Sequence, residues 1–199
     1  MVDFQSRDTR RGHQADEGTD QAEAGAEATP ETDTEEAGPD APAEGVRYAV
    51  VSVCEEPAVE ADEAGTAVVE TLEGGDGAVT TRELVTPDFD GVQSVVDALV
   101  DRTDVDVIVT VGGVGVGPDD VTVDAVEPLI DRGLPGFGEL FRLLAHDEVG
   151  SEVVTIRATA GLLDSVPVFC LPGEVWAADL GTEGIIRPEA ERIVDRTRG

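Results

Sequence analysis

One apolar run followed by glycines limits what this chain can fold into more than any other feature. Residues 106–112 read Asp-Val-Ile-Val-Thr-Val-Gly, and residues 113–120 continue as Gly-Val-Gly-Val-Gly-Pro-Asp-Asp before a helical pattern that begins near Thr122. An apolar run of this length, rich in β-branched residues and ended by glycine, is typical of a buried parallel strand. The sequence therefore predicts a strand, a glycine-rich turn and a helix start in direct succession.

The rest of the chain alternates between strand-like and helix-like segments. The clearest helix has Val92, Val95, Val96, Leu99 and Val100 at the i, i+3, i+4, i+7, i+8 spacing that buries one face. The predicted strands are residues 47–54, 79–84, 106–112, 153–156 and 166–171, and the predicted helices are residues 62–73, 92–100, 123–130, 138–145 and a last helix from Pro188. This alternation predicts a three-layer α/β/α sandwich with a mainly parallel sheet.

The glycine-rich turn is placed where such folds bind ligands. In open α/β sheets, ligands lie beyond the carboxyl ends of the strands, where the strand order reverses. Glycines let the backbone approach a ligand, and a following helix start favours an anion, typically phosphate. The pattern is neither G-x-G-x-x-G nor a P-loop, because no Gly-Lys-Ser/Thr follows. It predicts an anion site, with a turn that binds nothing as the alternative.

The charge balance is extreme. The chain of 199 residues has 44 Asp and Glu against 13 basic residues, no lysine, and a formal net charge of −31. Since the first 45 residues carry 13 of the acids and 3 of the arginines, the remainder keeps a net charge of −21. Self-repulsion of this size destabilises a compact state in dilute buffer, but at ~1 M salt the Debye length is only about 3 Å. We interpret the chain as a halophile's protein, since the absence of lysine argues against an acidic mesophilic protein. Either interpretation argues against nucleic acid or an anionic membrane as a partner.

Composition also divides the chain. Residues 1–45 are rich in Ala, Glu, Asp, Thr and Gly, which predicts an acidic disordered tail, and residues 46–199 are enough for one domain.

Cys54 and Cys170 lie in apolar runs, so we expect core residues in a reducing compartment. The sequence has neither a long apolar stretch nor a secretory h-region, which predicts a cytoplasmic protein.

A second glycine-rich segment, about twenty residues after the first, adds a resemblance. Three segments carry the resemblance, namely Gly112-Gly113-Val114-Gly115, Asp119-Asp120-Val121-Thr122 and Pro135-Gly136-Phe137-Gly138-Glu139-Leu140-Phe141-Arg142. They resemble the molybdopterin-binding family (MoaB/Mog-like; molybdenum cofactor biosynthesis protein B and molybdopterin adenylyltransferase), which has Gly-Gly-Thr-Gly, Arg-Asp-Val-Thr and Pro-Gly-Phe-Gly-Glu-x-Phe-Arg. Arg157 and Pro172-Gly173 fall where the family has Ser-Arg-Ala-x-x-Gly and Leu-Pro-Gly-Ser.

The resemblance implies a substrate and a reaction. Molybdopterin, a pterin dithiolene ending in a phosphomonoester, would attack the α-phosphorus of ATP to give adenylated molybdopterin and pyrophosphate. Joining two polyanions calls for Mg²⁺, which one or two carboxylates would hold. Asp88, or Asp90 in its place, and Asp120 are the catalytic and metal-binding candidates. The ligand-contact candidates are Gly112, Gly113, Gly115, Glu139, Arg142, Arg157, Pro172 and Gly173. The family also implies a homo-oligomer, a trimer or hexamer.

Each charged candidate has a structural alternative. Asp120 could cap a helix beginning at Val121, and Asp88 could be a turn aspartate after proline. Arg142 could bind phosphate bidentately or pair with Glu139 at i, i+3.

The chain also departs from the family. The departures are Val114 for Thr, Asp119 for Arg, Ile156 and Glu174 for Ser, Cys54-Glu55 for Ser-Asp, and Ala64 for the Ser of Asp-x-Ser-Gly. Five hydroxyls that could bond phosphate or pterin are absent, and a carboxylate at position 174 would repel an anion unless a cation intervenes. Three functions therefore remain open: a molybdopterin adenylyltransferase, a non-catalytic molybdopterin- or nucleotide-binding or assembly protein, and an α/β domain with no ligand at the loop.

The charge generates a first prediction. We expect the melting temperature to rise steeply between roughly 0.05 and 2 M KCl, because salt screens the surface repulsion over that range. Circular dichroism melts measure it, and a melting temperature that does not depend on KCl would contradict the halophilic interpretation.

Overall fold

The computed structural model describes residues 45–199. The predicted acidic tail therefore lies outside the described residues except at Gly45, and its disorder stays a prediction.

The described residues contain six strands and six α-helices, which alternate as far as α4 and are followed by two strands and then two helices. The strands are β1 Arg47–Val53, β2 Ala78–Val85, β3 Val107–Val111, β4 Arg132–Gly133, β5 Thr159–Leu163 and β6 Val166–Leu171. The α-helices are α1 Glu63–Glu73, α2 Phe89–Val100, α3 Thr122–Val126, α4 Pro135–Val149, α5 Val175–Gly181 and α6 Arg187–Arg198. Short 3-10 helices cover Val59–Ala61, Glu127–Leu129 and Gly150–Thr155, and a π-helical turn covers Thr182–Ile186.

The strands form one sheet in the order β2-β1-β3-β6-β5-β4. Neighbours among β2, β1, β3 and β6 are parallel, whereas β5 runs antiparallel to both β6 and β4. The chain goes from β1 to β2 on one side and then crosses to β3 on the other, so the strand order reverses between β1 and β3. The carboxyl ends of these two strands are therefore the expected place for a ligand.

Alternating side chains bury both faces of the sheet. Along β1, Tyr48 and Val50 pack with α1, α4, α5 and α6, whereas Ala49, Val51 and Val53 pack with α2 and α3. Helices cover both faces, and this confirms the predicted three-layer sandwich with a mainly parallel sheet.

Proline explains two differences from the predicted helices. The helix predicted for residues 123–130 is α-helical only to Val126, because Pro128 lacks an N–H and its ring clashes with the preceding turn. Pro188, predicted to begin the last helix, follows the π-helical turn in a helical run that already started at Val175. The wider turn accommodates a proline inside a continuous helical segment.

The predicted strand at residues 153–156 is wrong. These residues belong mostly to a 3-10 helix, and Val154 is 80% exposed, so its apolar side chain faces solvent instead of a sheet neighbour. The sheet position is taken by β5, which begins at Thr159 and pairs with β6. The apolar pattern alone did not distinguish the two segments.

A buried carboxylate fastens the carboxyl-terminal helix to the amino-terminal end of the sheet. Asp106 is 4% exposed and accepts hydrogen bonds from Arg47 Nε at 2.9 Å and Arg47 Nη2 at 2.6 Å, and another from Arg198. Burial alone would raise the pKa of Asp106, but the hydrogen bonds from Arg47 and Arg198 outweigh it and lower the pKa to about 2.

Asp106 generates a pH prediction. Its pKa is lower in the folded chain than the ordinary value of about 4, so its contribution to stability is fully present above that pH and is lost as the pH falls towards 2. We expect Asp106→Asn to lower the free energy of unfolding by roughly 3 kcal/mol near neutral pH, because two guanidinium groups lose their counter-charge. The variant should then lose less stability than wild type between pH 4 and 2.

Denaturant melts across this pH range in molar KCl measure both effects. Asp104→Asn is the matched control, because Asp104 pairs with Arg102 on the surface and its loss should change stability little. Equal losses for the two variants would contradict the role assigned to Asp106.

Candidate functional site

A cleft of 410 Å³ opens at the carboxyl ends of β1, β3 and β6. We call it the glycine cleft, and it is lined by Val53, Gly112, Gly113, Val114, Gly115, Asp120, Thr155, Ile156, Pro172, Gly173 and Glu174. Six of the predicted site residues meet there: Gly112, Gly113, Gly115, Asp120, Pro172 and Gly173. The cleft lies where the strand order reverses, as the fold class predicts.

Glycine is required at three positions of the loop that follows β3. Gly112 and Gly113 have φ values of +100° and +68°, in the region that side chains rarely adopt. A Cβ would lie 2.4 Å from Val53 O at Gly112, 2.3 Å from Thr122 Oγ1 at Gly113, and 2.5 Å from an Asp120 oxygen at Gly115. The loop therefore packs its backbone directly against β1 and α3.

Every carbonyl of residues 112–115 is hydrogen-bonded by one of two residues. Thr122 donates from Oγ1 to Gly112 O at 2.7 Å and from its backbone N–H to Gly113 O at 3.0 Å. Arg157 donates from its backbone N–H to Val114 O at 2.8 Å and from Nε to Gly115 O at 2.6 Å. These bonds hold the partial negative charges of the loop on the side of Thr122 and Arg157.

The amide groups of the same loop have a different pattern. Gly112 N donates to Leu171 O at 2.9 Å, which joins the loop to the end of β6. Within residues 45–199, the N–H groups of Gly113, Val114 and Gly115 have no acceptor. Three unpaired donors on a loop whose carbonyls at residues 112–115 are all engaged give an environment suited to an anion with several oxygens.

Asp120 closes the loop without capping the next helix. Its Oδ2 accepts from Gly117 N at 2.7 Å, and its own N–H donates to Gly117 O at 3.2 Å. The helix begins at Thr122 and has no side-chain cap, so the alternative of an Asp120 cap is wrong. Since the carboxylate turns back into the loop, it lines the glycine cleft.

The departures from the family pattern do not all affect the cleft. Val114 borders the cleft but is 2% exposed and belongs to the core cluster that includes Val123, so its side chain offers almost no surface to a ligand. Asp119 is exposed and does not line the cleft. Ile156 and Glu174 do line it, so only these two replace a serine hydroxyl at the glycine cleft itself.

A second depression, of 500 Å³, adjoins the glycine cleft at Ile156 and contains three more predicted residues, Glu139, Arg142 and Arg157. Arg142 donates to Ala158 O at 3.2 Å and forms no ion pair with Glu139, so the predicted pairing alternative is wrong. Arg157 directs its guanidinium at the loop and at Asp124.

Asp88 lies apart from both depressions. It is exposed, caps α2, and accepts from Gly91 N at 2.8 Å, so its structural alternative is realised. The carboxyl ends of β2 and β3 are separated by β1, which places them roughly 10 Å apart. Asp90, the other candidate, is exposed in the first turn of the same helix.

A smaller cleft of 330 Å³ borders the glycine cleft at Glu174 and includes Cys54 and Asp62. Asp62 is 8% exposed, caps α1 through Gly65 N at 2.9 Å, and accepts from Arg82 at 2.8 Å. Burial would raise the pKa of Asp62, but the hydrogen bond from Arg82 and the other bonds it accepts lower it. Asp62 therefore stays ionised as a structural residue. Cys54 is only partly buried, unlike the predicted core residue, whereas Cys170 is fully buried.

A larger cleft, of 710 Å³, lies elsewhere, between the start of β1, the end of α1 and the start of α6. It lies at the amino-terminal end of the parallel strands, where α/β folds do not place their ligands. The unpaired amides, the glycines and Asp120 are all at the carboxyl ends, so we assign the functional site there.

Three residues of the site were not predicted as such. Thr122 belongs to the Asp-Asp-Val-Thr motif but is not among the predicted site residues. No motif in the sequence points to Asp124 or Thr155. Asp124 contacts Arg157, which is 33 residues away in the sequence. Only the fold reveals such a contact.

The described residues contain no group of three or more His, Cys, Asp or Glu placed to hold a metal ion. In the same part of the chain, no helix is long and apolar enough to cross a membrane.

Comparison with known proteins identifies relatives. Residues 49–192 match the family model described as a probable molybdopterin binding domain. Molybdenum cofactor biosynthesis protein B of Bacillus cereus is 36% identical over 149 residues, which cover 74% of this chain and 88% of that protein. A crystal structure of molybdenum cofactor biosynthesis protein B superposes with a TM-score of 0.75 at 35% identity and covers 79% of this chain and 98% of that one. The tungsten cofactor synthesizing protein MoaB from Pyrococcus furiosus superposes with a TM-score of 0.69 at 34% identity, with coverage of 78% and 99%.

The loop geometry generates a prediction for Gly113→Ala. The added Cβ would collide with Thr122 Oγ1 at a φ of +68°, so the loop must move and its amides leave their positions. We expect inorganic phosphate to bind roughly tenfold more weakly, with a loss of about 1–2 kcal/mol in the free energy of unfolding. Calorimetric titration in molar KCl and denaturant melts measure the two effects.

Gly150→Ala is the matched control. Gly150 has a similar φ of +60°, no atom within 4 Å of the position that an added Cβ would occupy, and no place in the glycine cleft. It should therefore show backbone strain without weaker phosphate binding. Equal phosphate affinities for Gly113→Ala and wild type would exclude the loop from the binding site.

Proposed function

The chain belongs to the molybdopterin-binding domain family, and we propose that its part in molybdenum cofactor biosynthesis is to bind molybdopterin through the terminal phosphate at the glycine cleft and to adenylylate it with Mg-ATP. The main support for this proposal is that the carbonyls of the loop are hydrogen-bonded within the protein, whereas its amides are not. Its carbonyls are engaged by Thr122 and Arg157, while the N–H groups of Gly113, Val114 and Gly115 have no acceptor in residues 45–199. A phosphomonoester has the charge and the several acceptor oxygens that such donors bind.

The bound phosphate would be the nucleophile. Backbone amides are neutral donors, so a phosphate that they bind keeps its negative charge. One of its oxygens could then attack the α-phosphorus of ATP, with pyrophosphate as the leaving group. The protein's contribution is to position the phosphate and to exclude competing orientations. Pro172 and Gly173 line the same cleft and pack against the loop, since a Cβ at Gly173 would lie 3.3 Å from Gly112 Cα.

The donor set fits Mg²⁺ as the cation of the reaction. Asp120 places a carboxylate in the cleft with one oxygen bonded to Gly117 N and the other without a partner in residues 45–199. Glu174 lines the same cleft and has no side-chain hydrogen bond in the described part of the chain. Mg²⁺ is usually held by one or two carboxylates together with substrate phosphates, so the protein does not need a complete ligand set. When bound, it would supply charge neutralisation between the two phosphate groups.

Asp88 takes a different part in this proposal from Asp120. Asp88 caps α2, and β1 lies between the strand that precedes Asp88 and the strand that precedes the glycine loop. Asp88 could therefore reach the reacting phosphates only if its bond to the α2 backbone broke. Asp120 and Glu174 are therefore the carboxylates that we place at the metal, and Asp88 keeps its structural role at the start of α2. Arg142, which forms no ion pair in residues 45–199, is a suitable cation for the ATP phosphates.

A non-catalytic molybdopterin- or nucleotide-binding protein is the second candidate. It is favoured by Ile156 and Glu174, which line the cleft in place of two serines and leave the backbone as the main donor set. An apolar side chain and a carboxylate at these positions could keep phosphate binding while the alignment for transfer is lost. Binding and transfer must therefore be measured separately.

Asp120→Asn separates the two candidates. An amide keeps an oxygen that can accept from Gly117 N, so the loop should hold its shape, but it loses the charge that binds a cation. We expect molybdopterin binding within a few-fold of wild type and transfer of AMP from Mg-ATP reduced by about a hundredfold or more.

Asp119→Asn is the matched control, because it removes the same charge from an exposed neighbour that does not line the cleft. It should bind and transfer like wild type. If wild type binds molybdopterin in molar KCl but forms no adenylate, the enzyme proposal fails and the binding protein stands. If wild type binds neither molybdopterin nor Mg-ATP, the loop is structural and both proposals fail.

A further inference from the structure

The side chain of Arg157 joins the two ends of the glycine loop. Its Nε donates to Gly115 O at 2.6 Å, and Nη2 donates to Asp120 O at 2.6 Å. Its backbone N–H also bonds Val114 O at 2.8 Å. One rigid planar group thus fixes the carbonyls at the start and at the end of the turn that carries Asp120.

Asp124 completes the set of acceptors around this guanidinium. Nη1 lies 3.1 Å from both carboxylate oxygens of Asp124, and Nη2 lies 3.1 Å from Oδ2. The hydrogen bond from Arg157, the largest effect, lowers the pKa of Asp124. All three guanidinium nitrogens of Arg157 are therefore bonded to acceptors of the protein, at Gly115, Asp120 and Asp124.

The arrangement determines which way the loop peptides face. Without the bonds from Arg157, Gly115 O and Asp120 O would lose their partners, and the peptide between Gly115 and Val116 could rotate. A rotated peptide would turn Gly115 O towards the cleft beside the Gly115 amide, and a carbonyl repels phosphate. Asp124 is exposed on α3 and does not line the cleft, so its effect can reach a ligand only through Arg157.

We propose that Arg157 and Asp124 are positioning residues that hold the glycine loop with its amides facing the ligand phosphate, although neither contacts that phosphate. This rests on the phosphate site proposed above. It assigns to Arg157 a role different from direct anion binding, and to Asp124 a role that its exposed position does not suggest.

Calorimetric titration of inorganic phosphate into the full chain in molar KCl tests the proposal, with thermal melts on every variant. Arg157→Lys keeps the charge but cannot bond both carbonyls, so phosphate should bind about tenfold more weakly. Asp124→Asn should weaken binding about threefold, and Asp124→Glu should restore most of that loss because a longer carboxylate still reaches the guanidinium. The double variant Arg157→Lys with Asp124→Asn should bind no more weakly than Arg157→Lys alone, since both act through one group.

The exposed pair of Arg102 and Asp104 supplies matched controls. Arg102 also bonds Asp104 with two nitrogens, from Nε at 2.9 Å and from Nη2 at 2.7 Å, and neither residue lines the glycine cleft. Arg102→Lys and Asp104→Asn should leave the phosphate affinity unchanged. Thermal melts should show that every variant is folded under the conditions of the titration.

The outcomes separate this inference from the proposed function. If wild type binds phosphate and Arg157→Lys binds it equally well, the positioning role is wrong and the phosphate site stands. If Asp124→Glu binds as weakly as Asp124→Asn, the carboxylate does not act through Arg157 and its role is wrong. If wild type binds no phosphate, the proposed site itself is wrong, and the positioning role falls with it.

Discussion

Four consecutive carbonyl oxygens, from Gly112 to Gly115, each accept a hydrogen bond from Thr122 or Arg157. Because a peptide group points its N–H opposite to its C=O, these bonds also decide where the loop amides lie. The glycines make the conformation possible, since Gly112 and Gly113 have positive φ values and no room for a side chain. The site is therefore a property of the backbone, held by two side chains from outside the loop, and the sheet supplies the rigid ends from which the loop starts and returns.

A backbone site also suits the charge of this protein. The chain has only 13 basic residues, and seven of the arginines in residues 45–199 form ion pairs with carboxylates. Few cations are left to bind an anionic ligand on a surface with a large negative charge. Amide groups carry partial positive charge without using an arginine, and molar salt would screen the repulsion between the ligand and the acidic surface. Asp120 and Glu174 at the cleft then become compatible with phosphate once a cation lies between them.

The sequence predicted the parts of this structure that depend on local pattern. The alternation of strands and helices indicated the layered sheet, and the glycines after the third strand indicated the place of the cleft, because backbone freedom and strand order are readable from residue types. The resemblance to the family located Asp120, Pro172 and Gly173. Contacts between distant segments were not readable. Val114 was expected to replace a ligand hydroxyl but lies in the core, and Arg157 was expected at the ligand but bonds the loop, because only the fold shows which way a side chain points. The strand expected at residues 153–156 is a 3-10 helix for a related reason, since an apolar run does not reveal whether a neighbouring strand is available for pairing.

The central claim is that the amides of Gly113, Val114 and Gly115 bind a phosphate group. Nitrogen-15 NMR of the full chain in molar KCl, with inorganic phosphate added stepwise, observes these three groups directly. The account predicts that their amide resonances shift together and saturate with one dissociation constant, while the amide of Gly112, which is bonded to Leu171 O, shifts far less. Shifts confined to other parts of the chain, with residues 113–115 unchanged at saturating phosphate, would contradict it.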